Sequence, residues 1–525
     1  MRKHHQNQAF NLLEQMRKLQ ADELYAECQE VALFLCDFID SAAGEGTKTV
    51  DMLVAYCELL FKAHNGENVK NAIKKQIINI GNSIKSELKP NRIEVAFITY
   101  KAAQSDALES IYLEAKKDPD CDAFWIPVPY NTKNKDKSLS EPIFEGEGYY
   151  DERFEITDYK EYDMEARRPD AIFTFCPYDG KNPSIQIHKD YYTKRMRNFT
   201  DMLVYVQYNV PNVDVAEADM SGQEKFEQLR KVNDYMATGT MRLAAYHNAH
   251  KVISHTPSVS RWHEYGVHKV YEEEAKVKLG SRAPEFIGLG SPKIDKVIGY
   301  KRENFYMPPE WLEIIEGKKV FLYNVAVTGL GRQRASVTQL AKVILAFEKR
   351  NDIVLWLRPH PHLKAFITHY SPYVLESYEK LIEKYKAGRF GIFDETTDFH
   401  RAMAWTDAYY GDGSSLLKLY PFTGKPAMRS MSKIEIQDLT EETDFDVTSV
   451  DDRLDTVKSF DNYAFDETEE FGLREFIAFV LSDANTAEKT EARKQMYINA
   501  YANPNKTASE AIYENVKGSI FQKWD

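Results

Sequence analysis

The run YYGDGSSLLKLYPFTGKP, Tyr409 to Pro426, carries residue types that hold phosphate. It reads as a strand, a tight turn, a short helix and a second strand from Pro426. Gly411 and Gly413 permit a sharp backbone turn without a Cβ penalty. Ser414 and Ser415 fall where the helix starts, and a helix start offers unpaired N–H groups and partial positive charge to an anion. Plain N-capping by these serines is the alternative, and it is compatible with phosphate binding. Asp412 would repel a phosphate, so it orients the loop or meets a ribose. Lys418, one turn into the helix, either reaches a phosphate or stays in solvent. Upstream, LRPHP (Leu357 to Pro361) ends an apolar strand. Arg358 offers a fork of donors to phosphate oxygens, and His360 can give a proton to a leaving phosphate. The other reading of the pair is a proline-stiffened turn with a surface arginine and a capping histidine. Asn324 and Thr328 follow a third strand, beside Gly329 and Gly331. Polar clusters at the C-terminal ends of strands point to a nucleotide-diphosphate site on an α/β sheet.

The first half of the chain offers a second, weaker group. Pro177, Tyr178, Asp179 and His188 follow one strand, and Tyr205, Gln207, Tyr208 and Asn209 another. His188 is the candidate base there, with a structural histidine on a tyrosine-rich surface as the other reading. His255 ends a strand and ranks below it. Asp118, Asp120 and Asp122 read as a solvated loop rather than a metal motif, and His4 and His5 are given no metal role. No H-E-x-x-H and no Cys/His zinc spacing occurs, so no metal and no cofactor are expected.

These residues need elements to hold them. Residues 5 to 88 read as three or four antiparallel helices, with Leu12, Leu13, Met16 and Leu19, then Val31, Leu33, Phe34 and Phe38, at helical spacing. From Pro90 short apolar strands alternate with helices: 93–100, 124–130, 171–176, 202–208, 251–255 and 285–289, with a long loop or hairpin over 131–160 and a helix over 223–250. The pattern restarts at 318–327, 352–357, 390–394, 407–411 and 426–429, followed by acidic loops over 438–470 and helices at 471–482, 487–501 and 508–516. Alternation of this kind indicates two parallel, doubly wound lobes. The expected division is a helical module over 1–89, an acceptor-side Rossmann-like lobe over 90–290, a nucleotide-side lobe over 291–500 and a helical segment over 501–525. GLGSP, Gly288 to Pro292, reads as the hinge.

Composition narrows the function. With 525 residues the chain exceeds one ordinary domain. Its net charge of −13 opposes general nucleic-acid binding and weakens a polybasic membrane anchor. Five cysteines without C-x-x-C spacing suit a reducing cytosol. The start, MRKHHQNQAF, has no apolar signal region, and no spanning run is present, so a cytoplasmic protein is expected.

LRPHP, YYGDGSSLLKLYPFTGKP, GLGSPKIDKV and IHKDYYTKRMRNFTDMLVYVQYNV together resemble the CDP-glycerol glycerophosphotransferase family of teichoic-acid-type polymer enzymes. The resemblance covers residues 90 to 520 and suits a branch with an added N-terminal helical region. It implies a GT-B fold without an obligatory metal, with the CDP-linked donor on the second lobe and the acceptor on the first. It assigns Arg358 and His360 to an RxHP-like donor motif, and Asp412, Ser414 and Ser415 to a DxSS-like phosphate loop. The implied reaction moves a glycerol-phosphate-like or related polyol-phosphate group to a cell-surface glycan or teichoic-acid-like acceptor. A lipid-linked acceptor would bring the protein to the inner face of the membrane. One departure stands out. Family polymerases carry a WHGTP-like motif in the first lobe, and the comparable segment here, VYVQYNVP, lacks its histidine. A GT-B glycosyltransferase or epimerase using a UDP-linked sugar, and a non-catalytic nucleotide-binding or scaffold protein, are the alternatives.

Overall fold

The computed structural model describes residues 1–134, 136, 138–182, 184–210, 220–232, 238–275, 283–325, 334–360, 363–396, 398–431, 440, 465–468, 471–482, 485–501 and 506–524. Four helices lead: α1 (Lys3–Ala21), α2 (Tyr25–Ala43), α3 (Lys48–His64) and α4 (Lys70–Ser86). Each buries one stripe at three- and four-residue spacing, such as Ile73, Ile77, Ile80 and Ile84 in α4. The sequence misplaces one stripe. Leu33 and Phe34 of α2 are 51% and 61% exposed, and the core face of that helix is Cys28, Ala32, Leu35, Cys36 and Ile39.

The first sheet holds β1 (Ile93–Thr99), β2 (Cys121–Pro127), β4 (Ala171–Thr174), β6 (Leu203–Val206), β7 (Lys251–Ser254) and β8 (Glu285–Gly288). All pairs are parallel, in the order β2-β1-β4-β6-β7-β8. Every residue of β1 is buried, as expected for a strand covered on both faces. Two short strands, β3 (Tyr130–Thr132) and β5 (Ile185–Ile187), pair antiparallel beside it. The second sheet holds β9 (Lys319–Val325), β10 (Ile353–Pro359), β11 (Gly391–Phe393), β12 (Ala408–Gly411), β13 (Ala427–Arg429) and β14 (Phe465–Asp466). It is again parallel, in the order β11-β10-β9-β12-β13-β14.

Counted within each lobe, the second order is 3-2-1-4-5-6, that of a dinucleotide-binding sheet, and the first is 2-1-3-4-5-6, the flavodoxin-like order extended by one strand. The chain is thus an α/β protein of GT-B-like build, two Rossmann-like lobes behind a helical module. In such sheets ligands bind outside the strand ends where the order reverses, here between β1 and β4 and between β9 and β12.

The helix Pro292–Ile298 leads from the first lobe to the second, and the final helix Ala508–Trp524 returns to the first. That return is built from Ile512, Val516 and Ile520, which join the core of β1 and β4. Asp295 of the crossover helix accepts the N–H groups of Ala508 and Ser509, so the two connections lock each other. Asp118, expected in a solvated loop, accepts Tyr513 Oη at 2.6 Å and Lys517 Nζ at 2.5 Å from that last helix. The sequence reading lacks the helices Pro257–Ala275 and Phe399–Trp405 and the strand β14, and it stops the last helix short of Trp524. The expected helix over 223–250 is found as Gly222–Val232 and two short turns, with 233–237 outside the described residues. All five cysteines are buried thiols, and among the described residues no helix is long and apolar enough to cross a membrane.

Buried histidines make the fold acid-sensitive. Burial drives the imidazoles of His255 and His263 from their usual range down to about 3. Both are therefore neutral in the folded protein. The unfolded chain binds more protons below pH 6.5, so stability is full above that value and falls as pH drops toward 3. At pH 4.5 the loss is about 2–3 kcal/mol per residue. Melting temperature measured from pH 7.5 to 4.5 should drop steeply below pH 6.5, and more shallowly in a His263→Asn variant compared with its own value at pH 7.5. A flat profile down to pH 4.5 would contradict this.

Candidate functional site

β9 and β12 pair where the second sheet reverses, with Asn324 opposite Gly411. The contact is close: a Cβ on Gly411 would lie 2.4 Å from the Asn324 carbonyl oxygen, so only glycine allows the two strand ends to meet. Gly413 is under no such constraint, since its added Cβ would meet only Arg429 Cδ at 3.4 Å. Asn324 Nδ2 donates to Ser414 Oγ at 3.1 Å, and the Asp412 N–H donates to the Asn324 carbonyl at 3.1 Å. Tyr409 Oη donates to the Asp412 carbonyl at 2.8 Å. Asn324 thus ties Asp412 and Ser414, with Gly413 between them, into one loop at the reversal point. Ser414 precedes the helix Ser415–Leu419 but makes no side-chain cap, and with five residues that helix adds little dipole of its own. Thr328 lies outside the described residues.

A cleft of about 480 Å³ opens between the lobes. The second lobe contributes Arg358, His360, Ser415 and Lys418, and the first contributes Lys101, Gln104 and Tyr208. Lys293 of the crossover helix joins them. His360 is exposed, and its backbone is fixed on both sides: its N–H donates to Val325 and its carbonyl accepts from Leu363. Lys418 Nζ donates across the cleft to the Val210 carbonyl at 3.3 Å.

Arg358 is less free than its sequence context suggests. It is 3% exposed, its Nη2 donates to the Thr396 carbonyl at 2.6 Å, and its Nε stands 3.9 Å from the Asp394 carboxylate. Burial lowers the pKa of the guanidinium, and Asp394 and Asp398 oppose that shift. Nε has no hydrogen-bond partner among the described residues. Trp356 Nε1 and the Thr396 hydroxyl hold Asp394 in turn.

His188 stands apart from these residues. It begins a short turn after β5, its side chain is 48% exposed, and Nδ1 accepts from the Asp190 N–H at 3.4 Å, with the Asp190 carboxylate 3.5 Å away. It does not line the cleft, although its neighbour Ile185 does. His255 is buried, with Nδ1 3.2 Å from Gln207 Oε1.

A buried cluster bridging the lobes escaped the sequence reading. Lys293 Nζ donates to Asp106 Oδ1 at 3.1 Å, and His400 Nε2 lies 3.3 Å from Asp106 Oδ2. Tyr300 Oη bonds His400 Nδ1. Asp106 is 2% exposed. Burial alone would raise the pKa of its carboxyl, but Lys293 and then His400 hold it well below the usual carboxylate range. A carboxylate held that firmly ionised is a poor proton acceptor. Among the described residues no group of three or more His, Cys, Asp and Glu side chains is placed to hold a metal.

No family profile matches the chain, and no curated protein matches it by sequence. Similar solved structures include a UDP-N-acetylglucosamine 2-epimerase, at 14% identity over 82% of this chain and 96% of that one, TM-score 0.42. MnaA of S. aureus with UDP matches at 12% identity over 82% and 97%, TM-score 0.41. The wall teichoic acid polymerase TagF matches at 14% identity over 91% and 99%, TM-score 0.40. These are distant likenesses of shape, and the two-lobe assignment rests on the strand orders above.

Proposed function

We propose that the cleft binds a nucleoside-diphosphate-linked donor and that the protein is a transferase. The observation that carries this is one of charge. The chain has net charge −13, yet four fixed cations, Lys101, Lys293, Arg358 and Lys418, line the cleft, and no Asp or Glu is among its described lining residues. Asp106 and Asp394 offset part of that charge from behind Lys293 and Arg358, and the positive groups that face the cleft concentrate an oppositely charged ligand. The volume falls within the range of small-molecule sites. The position outside the reversal point of a 3-2-1-4-5-6 sheet is where such folds hold nucleotides.

The motif resemblance makes the donor CDP-linked and the transferred group a glycerol phosphate or related polyol phosphate, passed to a cell-surface glycan or teichoic-acid-like acceptor. An acceptor hydroxyl then attacks the β-phosphorus, the bond to the bridging oxygen breaks, and CMP leaves with that oxygen. Arg358, Lys418 and the Ser415 end of the loop stabilise the charge that develops. His360 hydrogen-bonds or protonates the departing CMP. The hydroxyl proton passes to a base on the acceptor side. His188, the exposed histidine among the described first-lobe residues, is the candidate, and its turn must move toward the cleft to serve.

A ligand that binds only the folded state stabilises it by about 2.7 kcal/mol at a hundredfold excess over Kd, which is a rise of a few degrees in a chain this long. CMP and CDP should raise the melting temperature without added metal, and UDP and GDP should not. A shift with UDP alone would replace the polyol-phosphate donor by a UDP-sugar. No shift with any nucleotide, supported by titration calorimetry at millimolar ligand, would remove the donor assignment.

A further inference from the structure

Among the described residues two lysines, Lys251 and Lys293, are buried and Lys425 is half-buried, and they differ in how many of their donors are used. Lys425 Nζ donates to three carbonyls, those of Met403, Ala404 and Thr406, which is all an ammonium can give. Lys251 donates to Glu285 and Asn515. Lys293, with its side chain 6% exposed, donates to Asp106 alone among the described residues. Its Nζ also stands 4.1 Å from the centre of the Tyr208 ring, with the Phe399 ring at 5.9 Å. A ring face attracts a cation but does not take the place of a hydrogen-bond acceptor. A buried ammonium with unmet donors is costly unless something supplies the acceptor. This one lines the interlobe cleft, where a ligand would lie.

We propose that Lys293 is a ligand-binding residue that takes a phosphoryl oxygen of the cleft ligand, and that Asp106 is its positioning residue. The assignment deepens the donor-site reading and rests on it. Asp106 comes from the first lobe, Lys293 from the crossover helix and His400 from the second lobe, so the ammonium is held where both lobes meet. Burial pulls the His400 imidazole below its usual pKa, against the pull of Asp106, and its Nε2 faces that carboxylate at 3.3 Å. Tyr300 fixes the other ring nitrogen. Asp106 therefore gives Lys293 one oxygen, Oδ1, and turns the other toward His400 Nε2 at 3.3 Å, so it does not wholly quench the charge on Lys293. The ligand class follows: a group with at least two adjacent phosphoryl units, one addressed by Arg358 and Lys418 and the next by Lys293.

The test is calorimetric titration of the intact protein with CDP, inorganic pyrophosphate and the uncharged nucleoside cytidine. Lys293→Met strands a buried carboxylate, so the double variant Lys293→Met/Asp106→Asn, which removes the pair together, is measured alongside. Both should lose CDP and pyrophosphate affinity by about 10–100-fold with cytidine affinity unchanged, and Lys293→Arg should restore most of the loss. A merely structural role would move all three ligands together. If the wild type binds CDP and the folded double variant binds it equally, Lys293 is not a ligand residue and the donor reading stands. If the wild type binds pyrophosphate through Lys293 but no nucleotide, the donor reading falls and the phosphoryl site stands. If it binds neither, both are overturned.

Discussion

His360→Ala should lower turnover by roughly 10²–10⁴-fold and leave the fold intact, as removal of a general acid does. The geometry makes the substitution clean. The loop keeps its shape through the His360 backbone, whose N–H and carbonyl bond Val325 and Leu363 at 2.9 and 2.7 Å. The imidazole itself is exposed at the cleft, so deleting it opens no core cavity. The rate of CMP release from CDP-glycerol, at matched circular dichroism, is the readout. An acid acting only as the bond to CMP breaks lowers kcat and leaves nucleotide affinity nearly unchanged. Loss of affinity with kcat preserved would make His360 a phosphate ligand instead. Unchanged kcat and affinity would leave it a turn residue.

Sequence and structure agree best where a strand announces its own end. Tyr409–Gly411 and Ile353–Pro359 are apolar runs closed by polar residues, so the clusters after them could be placed at strand ends without coordinates. The convergence of Arg358, His360, Ser415 and Lys418 on one cleft adds what a linear motif cannot carry. Lys293 stands inside GLGSPKIDKV, a segment read only as a hinge and a family signature. Its partner Asp106 lies 187 residues away, and no local spacing links them. His400 is hidden in the same way, in a helix of seven residues too short for periodicity to reveal. β14 is two residues long within an acidic stretch, so its pairing with β13 has no apolar signature. The error at Leu33 and Phe34 has another origin. Apolar spacing in α2 suits two faces, and packing chose the one with the small residues Cys28, Ala32 and Cys36.

Arg2→Ala should destabilise the protein by about 3–5 kcal/mol, the cost of removing one partner from a buried ion network. Arg2 is 4% exposed although it precedes the first helix. Its Nη1 donates to Glu94 at 2.8 Å, and its Nε contacts Asp170 at 3.3 Å. Its Nη groups also donate to the carbonyls of Arg167 and Arg168. Glu94 lies in β1 and is 2% exposed, which no strand covered on both faces tolerates without cations. Arg167 is its second cation and Tyr162 a donor, while Asp170 has Arg2 and the Glu94 N–H. Burial already raises the pKa of the Asp170 carboxyl, with Arg2 the principal opposing influence, so losing Arg2 should push it further upward. This one side chain fastens the helical module to the first sheet beside β1. Deleting residues 1–88 would therefore do more than expose an apolar face, because it would take from Asp170 its cation and leave Glu94 with Arg167 and Tyr162 alone. Thermal unfolding of Arg2→Ala, with hydrogen exchange along β1 and β4, measures the effect. Arg2→Lys should recover only part of it, since an ammonium cannot span both carboxylates and two carbonyls. Wild-type melting and exchange in Arg2→Ala would mean that the module is held by its apolar contacts alone.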